Sequence, residues 1–312
     1  MINARAGSAA TLMLCILAVV VQAHDEKPHS FADLIRTWSF DPLVVFCLTI
    51  SATLYTVGVI RLWRSANVGS GISRSAAIAF AAAWIFTFTA LVSPLHPWGQ
   101  VLFSAHMTQH EILMLISAPL FVLSRPWIAA LWALPPGWRL NVRNAVKAEP
   151  VAKLWGFITN PLAAWAIHAA ALWIWHIPYL FQSTLTSDLL HTVQHASFFL
   201  SALLFWWAII TGGHGVASYG AGVLYLFTTS IHSGILGAFL TFSKTLWYPA
   251  YSGSTESWGL QPIEDQQLGG MIMWVPAGLV YIAAGLIMFA GWLRESDRLA
   301  VRRENAAFAE VE

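Results

Sequence analysis

Two histidine pairs carry the strongest chemical signal in this sequence. His106 and His110 are four residues apart, and so are His191 and His195. On a helix that spacing sets both imidazoles on one face, with Cβ atoms about 5–6 Å apart. Neutral imidazole nitrogens so placed can chelate one ion of copper, zinc or iron. Set on two facing helices, the same four rings could instead supply the axial ligands of a haem, and spacing alone does not separate the two. Soft thioethers would favour Cu(I). Met107 adjoins the first pair, Met114 continues the His106–His110–Met114 face, and Met271 and Met273 open the last apolar stretch. The ordinary role of each methionine is to fill gaps in a core.

Other polar residues have more than one reading. Glu111, beside His110, is expected to orient an imidazole, carry protons or snorkel to the interface. Asp265 is a ligand, a histidine orienter or the cap of the helix that follows it. His168 and His232 stand alone in apolar stretches and read as hydrogen-bonded core residues, while His96 and His214 read as loop residues. Were the chain to begin at His24 after loss of a leader, its amine and imidazole would chelate Cu(II); a disordered tail reaching His29 is the competing reading.

Composition says what kind of scaffold must position these groups. The 312 residues are 57% hydrophobic and 10% charged, with a mean hydropathy of +0.63. A soluble domain carries about 25% charged residues, so this chain cannot cover a water-facing surface. Its 17 tryptophans suit membrane interfaces. A net charge of +1 leaves no footprint for nucleic acid. Of the two cysteines, Cys15 falls in a segment expected to be removed, which leaves Cys47 with no partner for a disulfide or a cysteine metal cluster.

The chain is expected to be all-α, a polytopic transmembrane bundle of about seven spans after an N-terminal signal peptide. Residues 1–23 have the basic start (Arg5), short apolar core and small-residue cleavage site of a secretory leader. A periplasmic segment at 24–41 precedes the membrane domain at 42–293, and 294–312 form a cytoplasmic tail. The spans are predicted at 42–63, 75–93, 102–123, 161–179, 190–211, 220–242 and 270–293, each near the roughly 20 residues a crossing needs. Pro42, Pro161 and the Gly269-Gly270 pair mark span starts. Pro119 should kink or end the third helix. Residues 126–134 are too short to cross and fit an interfacial or re-entrant helix on the inner side. With the mature N-terminus outside, twelve Lys and Arg residues fall in inner loops and three in outer ones, which places the C-terminus in the cytoplasm. His106, His110, His176, His191, His195 and Asp265 then all lie at the outer, periplasmic face.

The sequence resembles the CtaG family of assembly factors for bacterial caa-type cytochrome oxidases. The blocks that carry the resemblance are 102–110 (LFSAHMTQH), 160–168 (NPLAAWAIH), 172–178 (LWIWHIP), 191–198 (HTVQHASF), 236–242 (LGAFLTF), 248–251 (YPAY) and 265–276 (DQQLGGMIMWVP). The resemblance implies a seven-span fold and a role in maturing cytochrome c oxidase at copper delivery or insertion. Carried onto this sequence, its positions are His106, His110, His168, His176, His191, His195 and Asp265. Glu111 departs from the pattern, which has a hydrophobic residue there. The implied protein is not an enzyme. It binds copper in the bacterial inner membrane and works with oxidase subunits and periplasmic copper chaperones in the lipid bilayer. The rivals are a bis-histidine haem redox protein and a copper transport channel. A reporter joined after Glu312 is expected to be active only in the cytoplasm; activity outside would reverse the orientation.

Overall fold

The structure is a computed structural model that describes residues 30–212 and 216–309. The expected leader at 1–23, the N-terminal His24 and His29, and His214 lie outside the described residues. All regular elements among the described residues are helical. After a single turn, α1 (Phe31–Leu34), the chain crosses in α2 (Pro42–Ser65) and returns in α3 (Arg74–Leu91). Asp41 and Ser73 cap these helices by accepting from Leu43 N, Val44 N and Ala76 N. Pro42 sits at the first helical position, where its missing N–H costs nothing. A short α4 (Leu95–Gly99) leads into the third crossing.

That crossing departs from a simple helix. It is built of α5 (Phe103–Glu111), a π-helical stretch at Ile112–Ser117 and α6 (Ala118–Leu123). Pro119 therefore does not end the helix. Its ring would clash with a carbonyl one turn back, and the wider π turn opens the backbone there. Trp206 Nε1 donates to the Met114 carbonyl in this stretch at 2.9 Å. The break comes later, at Arg125, whose φ of 53° turns the chain ahead of Pro126. From there α7 (Pro126–Ala133) departs at 56°. It lies against the second half of α2, where a Cβ on Gly58 would fall 1.9 Å from the Ala129 carbonyl oxygen. Arg61 donates to the Ala133 carbonyl, and the Tyr55 hydroxyl reaches the Ser124 and Ala76 carbonyls at 3.0 and 3.2 Å.

Two amphipathic helices, α8 (Pro136–Lys147) and α9 (Glu149–Ile158), precede a 65° bend into α10 (Pro161–Trp175). This span stops short of the predicted residue 179. Pro178 holds Ile177 extended at ψ 124°, so the helix ends at Trp175 with His176 as its C-cap. Then follow α11 (Pro178–Thr184), α12 (Asp188–Ile210), α13 (Val216–Phe242) and α14 (Pro262–Ala309). Five helices are long and apolar enough to cross a membrane, and the two bent pairs raise the number to seven. Their outward faces are lipid-like: Leu286 and Ile287 are 63% and 73% exposed.

The last helix corrects one expectation. It is one element of 48 residues, about 72 Å long at 1.5 Å per residue, so it does not start at Gly269-Gly270, and the segment after residue 293 continues it as helix to Ala309. The glycines instead sit at its crossing points. A Cβ on Gly269 would fall 2.3 Å from the Phe103 ring, and one on Gly270 2.7 Å from Thr241 N. They let α14 press on α5 and α13 together. The main core, with Phe103, Met114, Phe181, Phe198, Phe205, Trp206 and Tyr281, lies among these helices. Gly269→Ala is expected to destabilise the protein by about 1–3 kcal/mol through overpacking, while Gly278→Ala, with nothing within 4 Å of its Cβ, is expected to be neutral or slightly stabilising. Thermal unfolding in detergent measures both, and equal midpoints would contradict the close crossing.

Candidate functional site

The helix that carries the first histidine pair is capped from the far end of the chain. Leu102, at the N-cap of α5, has no side chain that can accept a hydrogen bond. Asp265 of α14 accepts for it. Its Oδ2 takes Phe103 N at 2.6 Å, and its Oδ1 takes Ser104 N at 3.1 Å together with the Ser104 hydroxyl. A carboxylate there meets both the open N–H groups and the positive end of the helix dipole. Its own helix is closed by Glu264, which accepts from Gln261 N at 2.9 Å. Asp265 is thus the cap of a different helix from the one expected, with both oxygens engaged, and it stands outside the histidine group.

Eight of the nine residues of α5 are buried, and its histidines face those of α12. His106, His191 and His195 each offer one ligand nitrogen, all within 4.8 Å of one another, and all three residues are buried. Their ring centroids lie 5.2 Å (His106–His191), 5.7 Å (His106–His195) and 4.3 Å (His191–His195) apart. His110 adjoins them, 4.4 Å from His106 and 5.1 Å from His195. Phe181 lies 5.1 Å from His106 and Phe198 4.6 Å from His110, sealing the group from the core side.

One participant was not expected from the sequence. His96 of α4, read as a loop residue, stacks on His191 at 5.1 Å and meets His195 edge-on at 5.9 Å. Gln109 holds it, with Nε2 3.2 Å from His96 Nδ1 and 2.7 Å from the Ala90 carbonyl. A lone histidine in a turn has no partner at helical spacing, so only its position after the second span, on the outer side, hinted at this. His96 is half-buried and forms the edge of the group nearest solvent.

The hydrogen bonding of the rings suits a cation. His106 Nε2 lies 3.2 Å from Gln194 Oε1, so a proton there leaves Nδ1 as the ligand atom. His110 Nδ1 and Nε2, His191 Nε2 and His195 Nε2 are buried and have no hydrogen-bond partner among the described residues. A buried polar group left so costs about 1–3 kcal/mol, and such groups call for an explanation. A soft or borderline cation that accepts imidazole lone pairs would remove the penalty at several of them at once, so these residues could hold such an ion.

The other predicted positions fall outside the triad. His176 is buried at the end of α10, where its Nδ1 donates to the Leu172 carbonyl at 2.6 Å and its Nε2 has no partner among the described residues. It borders Phe198, ring to ring at 6.0 Å. His168 pairs with the Ser201 hydroxyl at 3.0 Å, as a core histidine would. Glu111 is buried and does not snorkel, and no hydrogen bond joins it to His110, so it does not orient that ring. Met107, Met114 and Met273 lie in the main core. The π turn breaks the α-helical register between His110 and Met114, so the proposed His106–His110–Met114 face is not continued. Met271 is 43% exposed on the outside of α14.

The loop between α13 and α14 covers this end of the bundle. Tyr248 OH donates to the His176 carbonyl and Tyr251 OH to the Gly99 carbonyl, each at 2.9 Å. Burial raises the pKa of both phenols, and for Tyr251 the neighbouring Asp265 and Tyr248 add to it, so both remain neutral donors. Ser254 OH donates to the Val101 carbonyl at 2.7 Å, and Trp258 packs on Trp98 at 5.7 Å.

A polytopic helical membrane bundle with buried histidines gathered at one end is the class of protein these features define. The chain belongs to the family of cytochrome c oxidase caa3 assembly factors, which it matches over residues 53–295. It is 27% identical over 291 residues to uncharacterized proteins of Mycobacterium bovis and Mycobacterium tuberculosis, and 25% identical to one of Mycobacterium leprae. The match takes in 90% of this chain and 43% of each of those proteins, so the chain spans less than half their length. No solved structure matches it.

The role of Asp265 has a direct test. Asp265→Ala is expected to lower stability by about 1–2 kcal/mol, the usual worth of a lost cap, while the protein still takes up metal. Loss of metal with unchanged stability would make Asp265 a ligand instead.

Proposed function

We propose that this protein is a non-catalytic assembly factor that binds copper at the periplasmic face of the membrane and assists its delivery to, or insertion into, cytochrome c oxidase. The observation that carries the reading is the buried triad His106, His191 and His195, whose ligand nitrogens lie within 4.8 Å of one another. Family membership supports the oxidase role, and the triad offers a chemistry for it. Three neutral imidazoles suit copper, and copper is here the cargo. A transfer site works best with few ligands and an accessible edge, unlike a closed structural site. The half-buried His96 provides that edge.

The haem alternative has less support. Two axial imidazoles must admit a porphyrin plane between them, and here the rings from the two helices stand at 5.1–5.7 Å, in direct contact. A full conduit is also disfavoured, because His168, the next histidine inward on α10, is engaged with Ser201. The partners of this reading are oxidase subunits within the bilayer and periplasmic copper chaperones at the histidine-bearing end. The outer loop, held down by Tyr248, Tyr251 and Ser254, is the surface such partners would meet.

The purified protein is expected to bind Cu(I), and the triple variant His106→Ala, His191→Ala, His195→Ala to lose it. In a strain lacking the native chain and grown on limiting copper, wild type is expected to restore oxidase activity and the triple variant to fail. Unchanged copper content in the variant, or a haem Soret band with no copper in the wild type, would sink the reading.

A further inference from the structure

The histidine rings form two triangles that share an edge. The outer triangle is His106, His191 and His195, with sides of 5.2, 5.7 and 4.3 Å. The inner triangle is His106, His110 and His195, with sides of 4.4, 5.1 and the shared 5.7 Å. The two unique corners sit at different depths. His191 lies in the first turn of α12, against the half-buried His96 at 5.1 Å. His110 lies in the last turn of α5, 2% exposed and backed by Phe198 at 4.6 Å.

A single triad leaves His110 unexplained. Both of its nitrogens are buried with no hydrogen-bond partner among the described residues, and such a group persists in a core only when something offsets its cost. Its ring is as close to His106 and His195 as His191 is. Only the outer triangle brings three ligand nitrogens within 4.8 Å of one another; the inner one adds His110 to the same two common imidazoles by ring contact, so closing it on an ion takes a turn of the His110 ring.

We infer that the cluster offers one Cu(I) ion two overlapping three-histidine positions, an outer one completed by His191 and an inner one completed by His110, with His106 and His195 common to both. This rests on the copper reading above. The ion passes between them by exchanging one imidazole for another while two remain bound, with no change in oxidation state. Two ions at once are disfavoured, because like charges a few ångströms apart in a dry site repel strongly. The outer position, beside His96, loads the ion; the inner position, behind Phe198, holds it away from solvent. The arrangement lets one site be both accessible for transfer and protected between transfers.

The full-length protein in detergent, titrated with Cu(I) against bicinchoninate, tests this. Wild type is expected to bind one ion per chain. His110→Gln and His191→Gln, chosen to keep volume and fold, are each expected still to bind one ion, with three imidazole ligands by X-ray absorption. His110→Gln should weaken affinity by about tenfold or more, within the range seen when metal environments are altered. His191→Gln should slow uptake from the bicinchoninate complex by a similar factor, and His106→Gln, which removes a shared corner, should abolish binding. If His191→Gln abolishes binding and His110→Gln matches wild type, the site is a single triad; that overturns this inference and leaves the copper reading standing. Two ions per wild-type chain would make the triangles independent sites and overturn the shared path. Wild-type protein that takes up no Cu(I) overturns both.

Discussion

The carboxylate of Asp265 meets the exposed N-terminus of α5 at Phe103 and Ser104, with N–O distances of 2.6 and 3.1 Å. This contact spans more than 160 residues of sequence and fixes where the central helix begins. His106 and His110 follow on the next turns, so their height relative to α12 depends on it. The same carboxylate ties α14 to α5, and Gly269 lets the two helices close to the point where a single methyl would strike Phe103. An uncapped helix start buried beneath a loop would leave several N–H groups without acceptors. Asp265 answers that need and, in doing so, positions half of the histidine cluster.

The cluster itself runs against the usual rule of buried polar groups. Four histidines sit in close contact with several nitrogens unpaired among the described residues, surrounded by Phe181 and Phe198 rather than by acceptors. Gln194, Gln109 and the Leu172 carbonyl each engage one ring nitrogen of a histidine. Such contacts fix ring orientation and the position of the proton, which decides which nitrogen keeps its lone pair. The protein therefore holds several imidazoles in fixed orientation with a buried nitrogen left unpaired.

Family membership and this geometry meet at the same end of the molecule. The family match runs from the first span to the end of the last crossing, and it encloses the six histidines gathered at this end, His96, His106, His110, His176, His191 and His195. The mycobacterial relatives are more than twice as long as this chain, so whatever their further portions do, the part shared with them is the helical bundle. The two phenolic anchors of the loop between α13 and α14, Tyr248 and Tyr251, bond to the backbone carbonyls of His176 and Gly99. They hold the cover of the site by geometry that no titration near neutral pH would disturb.

Much of this was determined by local chemistry that a sequence displays. Runs of apolar residues long enough to cross a bilayer place every crossing helix but the last within a few residues, because the requirement is one of length and composition. The spacing of His106 with His110 and of His191 with His195 places each pair on a face, because helical periodicity is local. Prolines at 42 and 161 mark boundaries for the same reason. What depends on contacts between distant segments was decided only by the tertiary structure. His96 joins the cluster because α4 folds under the loop beside α12. Asp265 caps α5 and not its own helix. Gly269 and Gly270 mark a helix crossing and not a helix start, and a π turn carries the chain past Pro119. Each of these is settled by where a neighbouring helix lies, and a helix's own residues carry no record of that.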